Sequence, residues 1–297
     1  MPDNPIPGGR SDRAEARRKA SVRVCIAVAA ALLGVLGAAL FAGTGKEPTA
    51  GQPDGRAPHI SDPQSPFDHE HRSWTAILAQ YVSDGSVDYR GLAYRGRPVL
   101  DAYLSALSAA SPAESGWTRE ERLAFWMNAY NAFTIRLILD HYPLPSIRSI
   151  GVLPLAAFRT KFIPLGAGRT PISLNVIENE ILRKQLQDAR IHFAIVCASQ
   201  SCPALRSEAY RSSVVDRQLD EAARAFLDDP SKNRWDPASR TLYLSSIFKW
   251  FRDDFERAGG TLLAFVGRYL PRPVAADLEK GRVRIVFLNY DWFLNGR

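Results

Sequence analysis

Residues 190–203, Arg-Ile-His-Phe-Ala-Ile-Val-Cys-Ala-Ser-Gln-Ser-Cys-Pro, gather two of the chain's three cysteines and one of its five histidines where a short apolar run stops abruptly in polar residues. A thiol becomes a nucleophile when a base or a positive partner helps it to ionise. Cys197 is the candidate nucleophile, and His192 is a candidate base or orienter. If residues 191–197 form a strand, side chains alternate: His192 shares a face with Ala194 and Val196, and Cys197 points the other way. A Cys197 dyad then needs a bend, or a base from elsewhere such as His141. Glu178 and Glu180 are further candidates for acid/base work, although an exposed helix face explains them equally well.

Cys202 precedes Pro203, so the loop 197–202 is fixed at its far end and can close on itself. Three states remain open for Cys197 and Cys202: a disulfide, as an oxidising compartment favours, a reactive thiol, or two inert thiols. A closed zinc site needs about four ligands, and His192, Cys197 and Cys202 supply at most three. His69 and His71 border a flexible stretch and are expected in solvent, so neither a metal nor a cofactor is expected.

These side chains need a scaffold. Trp74, Ile77, Leu78 and Tyr81 fall at helical spacing, and Leu100 to Leu107 repeats the period. Thr118-Arg119-Glu120-Glu121 has the spacing of a capping box and should start the longest helix, which stops near His141 because Pro143 cannot continue it. Arg122, Arg136 and Asp140 define its one charged sector, and apolar residues fill most of the rest. Asn128 and Asn131 fall away from that sector. A buried amide without partners costs about 1–3 kcal/mol, so the pair predicts either a site wall, with Asn128, Asn131 and Asn175 holding substrate, or an internal network bracing loops.

A helix is expected from Ile172-Ser173-Leu174-Asn175 through Leu182, then the strand 191–197, a helix near 213–228, and a hairpin around 236–239. A helix with Phe248, Phe251 and Phe255 should end at Gly259-Gly260, another covers Leu262 to Tyr269, and Val283, Ile285 and Phe287 alternate in a last strand. Strands scattered among helices predict an α+β fold: a helix-rich single domain with a small, mostly antiparallel sheet.

Residues 24–45 contain no charged side chain and are long enough to cross a hydrocarbon layer of about 30 Å as a helix. Arg10, Arg13, Arg17, Arg18, Lys19 and Arg23 precede this run, which keeps residues 1–23 cytoplasmic and sends the rest across. The run exceeds the ~7–15 apolar residues of a cleavable signal, which favours an uncleaved transmembrane anchor. Cys25 lies at its start, the wrong place for a lipidated cysteine after a cleavage site. Residues 46–66, rich in Gly, Pro, Asp, Thr and Ser, read as a tether, and 67–297 as one extracytoplasmic globular domain. Of the formal charge of +7, most belongs to residues 1–46, with seven Lys or Arg against three acidic residues. The remainder has no long basic run, so nucleic acid is excluded as a partner, and the lipid bilayer is the expected one, through residues 24–45.

Several strings resemble the family catalogued as domain of unknown function 547. They are Phe125-Trp126-Met127-Asn128-Ala129-Tyr130-Asn131-Ala132, Ile172-Ser173-Leu174-Asn175-Val176-Ile177-Glu178, His192-Phe193-Ala194-Ile195-Val196-Cys197-Ala198 and Ser201-Cys202-Pro203-Ala204-Leu205-Arg206. Phe248-Lys249-Trp250-Phe251 and Tyr290-Asp291-Trp292 with Leu294-Asn295 resemble it too. Bacterial members often follow a signal or anchor segment, and plant and animal members are joined to coiled-coil or glutaredoxin-like modules; the family's activity is unassigned. Plant members tend to carry Ser at the position of Cys202, so the resemblance points to Cys197 as the shared sulfur. Phe293 stands where the family usually shows Ser. The expectation is a membrane-anchored domain acting as a thiol-dependent hydrolase or transferase, with Cys197 as nucleophile, His192 or Glu178 as base or orienter, and carboxamides holding substrate. The competing expectation is a non-catalytic module that binds a peptide, glycan or small ligand.

Overall fold

The computed structural model describes residues 67–296 apart from 111, 113–115, 154, 167 and 169. The expected span at 24–45, its basic flank and the tether lie outside the described residues, among which no helix is long and apolar enough to cross a membrane.

Helix α1 (Arg72–Tyr81) turns Trp74, Ile77, Leu78 and Tyr81 inward, as their spacing requires. The hairpin β1 (Val82–Ser83) and β2 (Ser86–Val87) follows. Two short helical turns then lead into α2 (Arg97–Ala109), which packs on α1 through its buried stripe of Leu100, Tyr103, Leu104 and Leu107.

Helix α3 (Arg119–His141) is the axis of the domain. Its capping box forms as expected: Thr118 Oγ1 accepts the Glu121 N–H (3.1 Å), and the Thr118 N–H donates to the Glu121 carboxylate (2.8 Å). From Leu123 to Leu139 every residue except Arg136 is buried, because α2, a helix near 176–186, α4 and the loops between them surround it. Burial of Leu123, Phe125, Met127 and Ile138 stabilises the fold by about 1.5–3 kcal/mol each. Arg136, on the charged sector, pairs with Asp140 and Asp101.

The helix expected to end at Leu182 continues to Leu186 with the wider turns of a π-helix over Val176–Leu186. Its last bond runs from the Gln187 N–H to the Leu182 carbonyl, five residues back (3.0 Å). Such geometry is rare and recurs at functional sites.

The expected strand 191–197 is not formed. Ala189–Phe193 is a 3₁₀ helix, capped by the Asp188 carboxylate on the Arg190 N–H (3.0 Å), and residues 195–197 follow without strand pairing. No strand supplies the ladder that an apolar run needs. The Asn131 carboxamide takes that place: Nδ2 donates to the Ala194 carbonyl (3.0 Å) and Oδ1 accepts the Val196 N–H (2.8 Å).

Helix α4 (Val215–Asp228) matches the expected 213–228. Strands β3 (Arg234–Asp236) and β4 (Thr241–Leu244) form the expected antiparallel hairpin, with Asp236 opposite Thr241. The aromatic helix breaks at Phe251 into α5 (Ser246–Trp250) and α6 (Arg252–Gly259). Then come α7 (Leu262–Gly267) and α8 (Arg272–Glu279). The latter escapes sequence patterning because Pro271 and Pro273 read as breakers, although proline is tolerated in a first helical turn. Strand β5 (Arg284–Phe287) lies parallel to β4, giving the order β3-β4-β5. The fold is a helix-rich α+β one with a small sheet, antiparallel in β1–β2 and β3–β4.

One apolar core surrounds α3, and a second surrounds Phe193. The Phe193 ring lies 5.4–5.7 Å from those of Phe226, Phe248 and Phe255. Phe193 therefore fixes one end of the cysteine segment while Ala194 to Val196 enter the core of α3.

Candidate functional site

The loop after Val196 turns back on itself. Ala198 adopts a left-handed conformation (φ 59°), costly for a residue with a Cβ, and the Cys202 N–H bonds the Ser199 carbonyl (3.0 Å). The chain end holds this shape. Ser199 bridges Leu294 in antiparallel fashion, the Gln200 N–H donates to the Phe293 carbonyl (2.8 Å), and the Asn295 N–H donates to the Ala198 carbonyl (3.2 Å). On the other side of this strap the Val87 N–H bonds the Asn295 carbonyl, so closely that a Cβ on Gly296 would meet the Val87 oxygen at 2.0 Å.

The turn brings Cys197 Sγ to 2.7 Å from Cys202 Sγ, inside the ordinary contact distance of two sulfurs, with the two cysteines unbridged. Of the three states open from the sequence, the structure displays no bridge. The two sulfurs differ. Cys202 is buried, and polar groups converge on it: the Cys197 N–H (3.0 Å) and Tyr290 Oη (3.3 Å) donate to its sulfur, and Ser199 Oγ lies 3.2 Å away. Burial pushes the Cys202 thiol up, but the hydrogen bonds from Cys197, Ser199 and Tyr290 outweigh it and bring it down to about 6. Cys197 is half-buried, and its thiol is pushed well above the ordinary range, first by its hydrogen bond to Cys202 and then by burial. The pair thus shares one proton and one negative charge near neutrality.

Both sulfurs open on a pocket of about 230 Å³ whose other walls include Glu178, His192, Phe251, Trp250 and Trp292. That space suits one side chain or the end of a larger substrate. His192 Nε2 lies 2.8 Å from Asp254 Oδ2, and its ring stacks on Phe251 (centroids 3.9 Å apart). Burial holds the imidazole below its ordinary range despite Asp254. A neutral ring that donates Nε2–H to the carboxylate keeps Nδ1 as the acceptor. Burial alone would raise the Asp254 carboxyl, yet hydrogen bonds from His192 and Arg183 hold it well below the usual carboxylate range.

Arg183 belongs to a relay along the π-helix. Asn179 Nδ2 donates to Asn175 Oδ1 (3.1 Å), Arg183 donates to Asn179 Oδ1 (2.6 Å), and Arg183 Nε donates to Asp254 Oδ2 (2.5 Å). Asn175 and Glu178 both reach the pocket. Burial is the largest influence on Glu178 and raises its carboxyl to about 7, although Arg183 opposes it; the Tyr130 hydroxyl lies beside it.

The structure therefore brings together Cys197, Cys202, His192, Glu178 and Asn175. It does not bond His192 to either sulfur: the His192 partner is Asp254, and the Cys197 partners are Cys202, Ser199 and Tyr290. The opposite-face argument drawn from a strand falls with the strand.

Asn128 and Asn131 do not line the pocket, and the expectation that they hold substrate is corrected. Asn128 Nδ2 donates to the Tyr210 carbonyl (2.7 Å) and its Oδ1 accepts the Tyr210 N–H (3.0 Å). Asn131 does the same for Ala194 and Val196, so the bracing alternative describes both. His141 also lies elsewhere, its Nδ1 donating to the Leu137 carbonyl (2.9 Å), and Glu180 is exposed and paired with Lys184. The expectation of solvent for His71 is wrong: it is buried under Phe67, with Nδ1 2.7 Å from Tyr103 Oη, and burial lowers it to about 4.

Asp254, Arg183 and Tyr130 were not among the sequence candidates. Asp254 sits in a run of charges, Arg252-Asp253-Asp254, that reads as a solvated helix face, and no local pattern distinguishes it.

Residues 114–227 match the model of a family described as "Protein of unknown function, DUF547". No curated protein and no solved structure matches the chain. The matched segment carries the asparagines, Glu178, His192 and both cysteines, whereas Asp254 and Tyr290 lie beyond it.

Proposed function

We propose, for a chain whose residues 114–227 belong to the DUF547 family, that the pocket is the active site of a thiol-dependent hydrolase or transferase. The observation that carries the reading is the 2.7 Å pair of sulfurs on a wall shared with a neutral histidine and a carboxyl that titrates near 7. Cys197, the more accessible sulfur, attacks an acyl-type carbon while its proton passes to the Cys202 thiolate. Glu178, protonated in part at neutral pH, gives its proton to the leaving group as the carbon–leaving-group bond breaks. Water or another acceptor then loses a proton to His192 Nδ1 and displaces Cys197. Asp254 orients the imidazole, and Asn175 lies at the wall where a substrate carbonyl can accept its amide.

Iodoacetamide labelling followed across pH and located by mass spectrometry tests this. The pair should react at pH 7 faster than an ordinary thiol through the charge it shares, with the adduct on the more accessible Cys197, and Cys202→Ala should slow labelling at least tenfold by removing that charge. A pair that is permanently bridged, or that reacts no faster than free cysteine, ends the proposal.

A second reading is ligand binding without turnover. It is favoured by the aromatic group at the pocket, where the Trp250 and Trp292 rings lie 4.8 and 4.7 Å from Tyr290 and offer stacking faces to a peptide, glycan or small ligand. In that case Cys197→Ala retains affinity and no covalent adduct ever forms.

For location, we propose that residues 24–45 anchor the chain as a single pass with residues 67–297 outside the cytoplasm, on the strength of the uncharged run and its basic flank. Protease treatment of intact and opened cells checks it: protection of the domain in intact spheroplasts contradicts the orientation.

A further inference from the structure

Beside the pocket lies the most exposed apolar surface among the described residues. Val152 is fully exposed, Leu153 is 73% exposed, and Leu155, which also lines the pocket, is 39% exposed. Trp250, also in the pocket lining, is 47% exposed. Monomeric domains seldom hold adjacent large apolar side chains out into water unless something covers them. Here the backbone holds them out at a cost, since Leu155 adopts a left-handed conformation (φ 61°), which a residue with a Cβ rarely does.

The charge within this segment of the chain has one sign. From His141 to Ile177 the sequence contains no Asp or Glu, and its charged residues are Arg148, Arg159, Lys161 and Arg169. Arg148, Arg159 and Lys161 are exposed, and among the described residues none of the three pairs with a carboxylate. Arg148 instead lies over the Trp292 ring, 5.3 Å from its centroid. A bare apolar tip, a tryptophan and unpaired cations on one rim form the surface that an acidic lipid interface accepts: the apolar tip enters the acyl boundary, the indole sits at headgroup level, and the cations meet phosphates.

We propose that the exposed side chains of Val152, Leu153 and Leu155, flanked by Arg148, Arg159 and Lys161, dock the pocket mouth onto a bilayer containing acidic phospholipid, so that the pocket receives the acyl-bearing end of a lipid-borne substrate directly from the membrane. The lipid-borne substrate rests on the thiol reading above, whereas the docking surface does not. The apolar lining around Leu155, Phe158 and Trp250 fits such an end.

The test uses the full chain with p-benzoylphenylalanine replacing Val152, reconstituted with vesicles of neutral phosphatidylcholine or of phosphatidylcholine containing phosphatidylglycerol; the same residue replacing the exposed Tyr94 is the control. Irradiation should give about tenfold more lipid adduct at position 152 than at 94 on acidic vesicles, and the excess should fall in 1 M salt and with Leu153→Asp. Flotation of the same samples on neutral vesicles reports the anchor separately. Adduct at 152 no greater than at 94 on acidic vesicles overturns the docking, whether or not the chain floats. Iodoacetamide labelling of Leu153→Asp in detergent should remain at the wild-type rate, so a lost thiol reactivity in the unsubstituted chain sinks the enzymatic reading and leaves docking standing.

Discussion

The Cys197 amide N–H points at Cys202 Sγ, 3.0 Å away, so the backbone of one cysteine helps to hold the charge of the other. The left-handed residue between Cys197 and Ser199 makes this approach possible. It also divides the work: the buried sulfur stores the charge, and the more open one faces the pocket.

Thiolate absorbance near 240 nm should rise through a midpoint near 6 in the wild type, set by Cys202. Cys202→Ala should abolish that transition. Cys197→Ala should move it upward, because one of the donors that outweigh burial is lost. A transition at 6 that survives Cys202→Ala assigns the charge to the wrong sulfur.

Glu178 gives a stability signature. Its carboxyl rises from 4.5 to about 7 on folding, so the native state holds a proton that the unfolded chain releases. That stabilisation is complete below about pH 4.5 and is lost as pH climbs through 7. At about 1.4 kcal/mol per unit, reduced for partial access to solvent, about 2 kcal/mol is at stake. Urea midpoints of wild type and Glu178→Gln should therefore diverge between pH 5 and pH 8, with the variant gaining relative stability at the higher value. Parallel curves contradict the buried, proton-holding carboxyl.

Asn131→Leu removes both partners of the Ala194 carbonyl and the Val196 N–H, and Asn128→Leu does the same at Tyr210. Each buried backbone group left unpaired costs about 1–3 kcal/mol, so each variant should lose about 2–5 kcal/mol in equilibrium unfolding. Asn131→Asp keeps the shape and the acceptor while losing the donor, and should also destabilise. A loss below 1 kcal/mol in all three shows that other groups satisfy these backbones.

Nitrogen-15 NMR of the imidazoles should find His192 neutral at pH 7 with its proton on Nε2, the nitrogen facing Asp254. Asp254→Asn should release that tautomer preference and destabilise the fold by about 3–5 kcal/mol, since Arg183 loses its carboxylate. An imidazolium at pH 7 in the wild type refutes the assignment of Nδ1 as base.

The parts of this molecule legible in its sequence are those whose hydrogen bonds close locally. The Thr118 capping box, the Trp74 to Tyr81 stripe and the Trp235 to Leu242 hairpin each depend on neighbours a few residues away, and each forms where patterning places it. The stretch after Asp188 is not legible in this way, because its apolar run fits a strand equally well and the decisive partner is an asparagine on α3. The site followed the same division. The sulfurs, His192 and Glu178 stood out by residue type, whereas Asp254 and Tyr290 meet them only through the tertiary fold.

Asn128 and Asn131 project from one rod and grip two separate stretches of chain, around Tyr210 and around Ala194 to Val196. Any tilt or axial shift of that rod carries both stretches with it, and the thiol turn just beyond Val196 follows. The pocket wall and α3 are therefore joined through these two carboxamides, and packing defects near Leu123 or Leu139 are expected to displace the sulfurs without touching them.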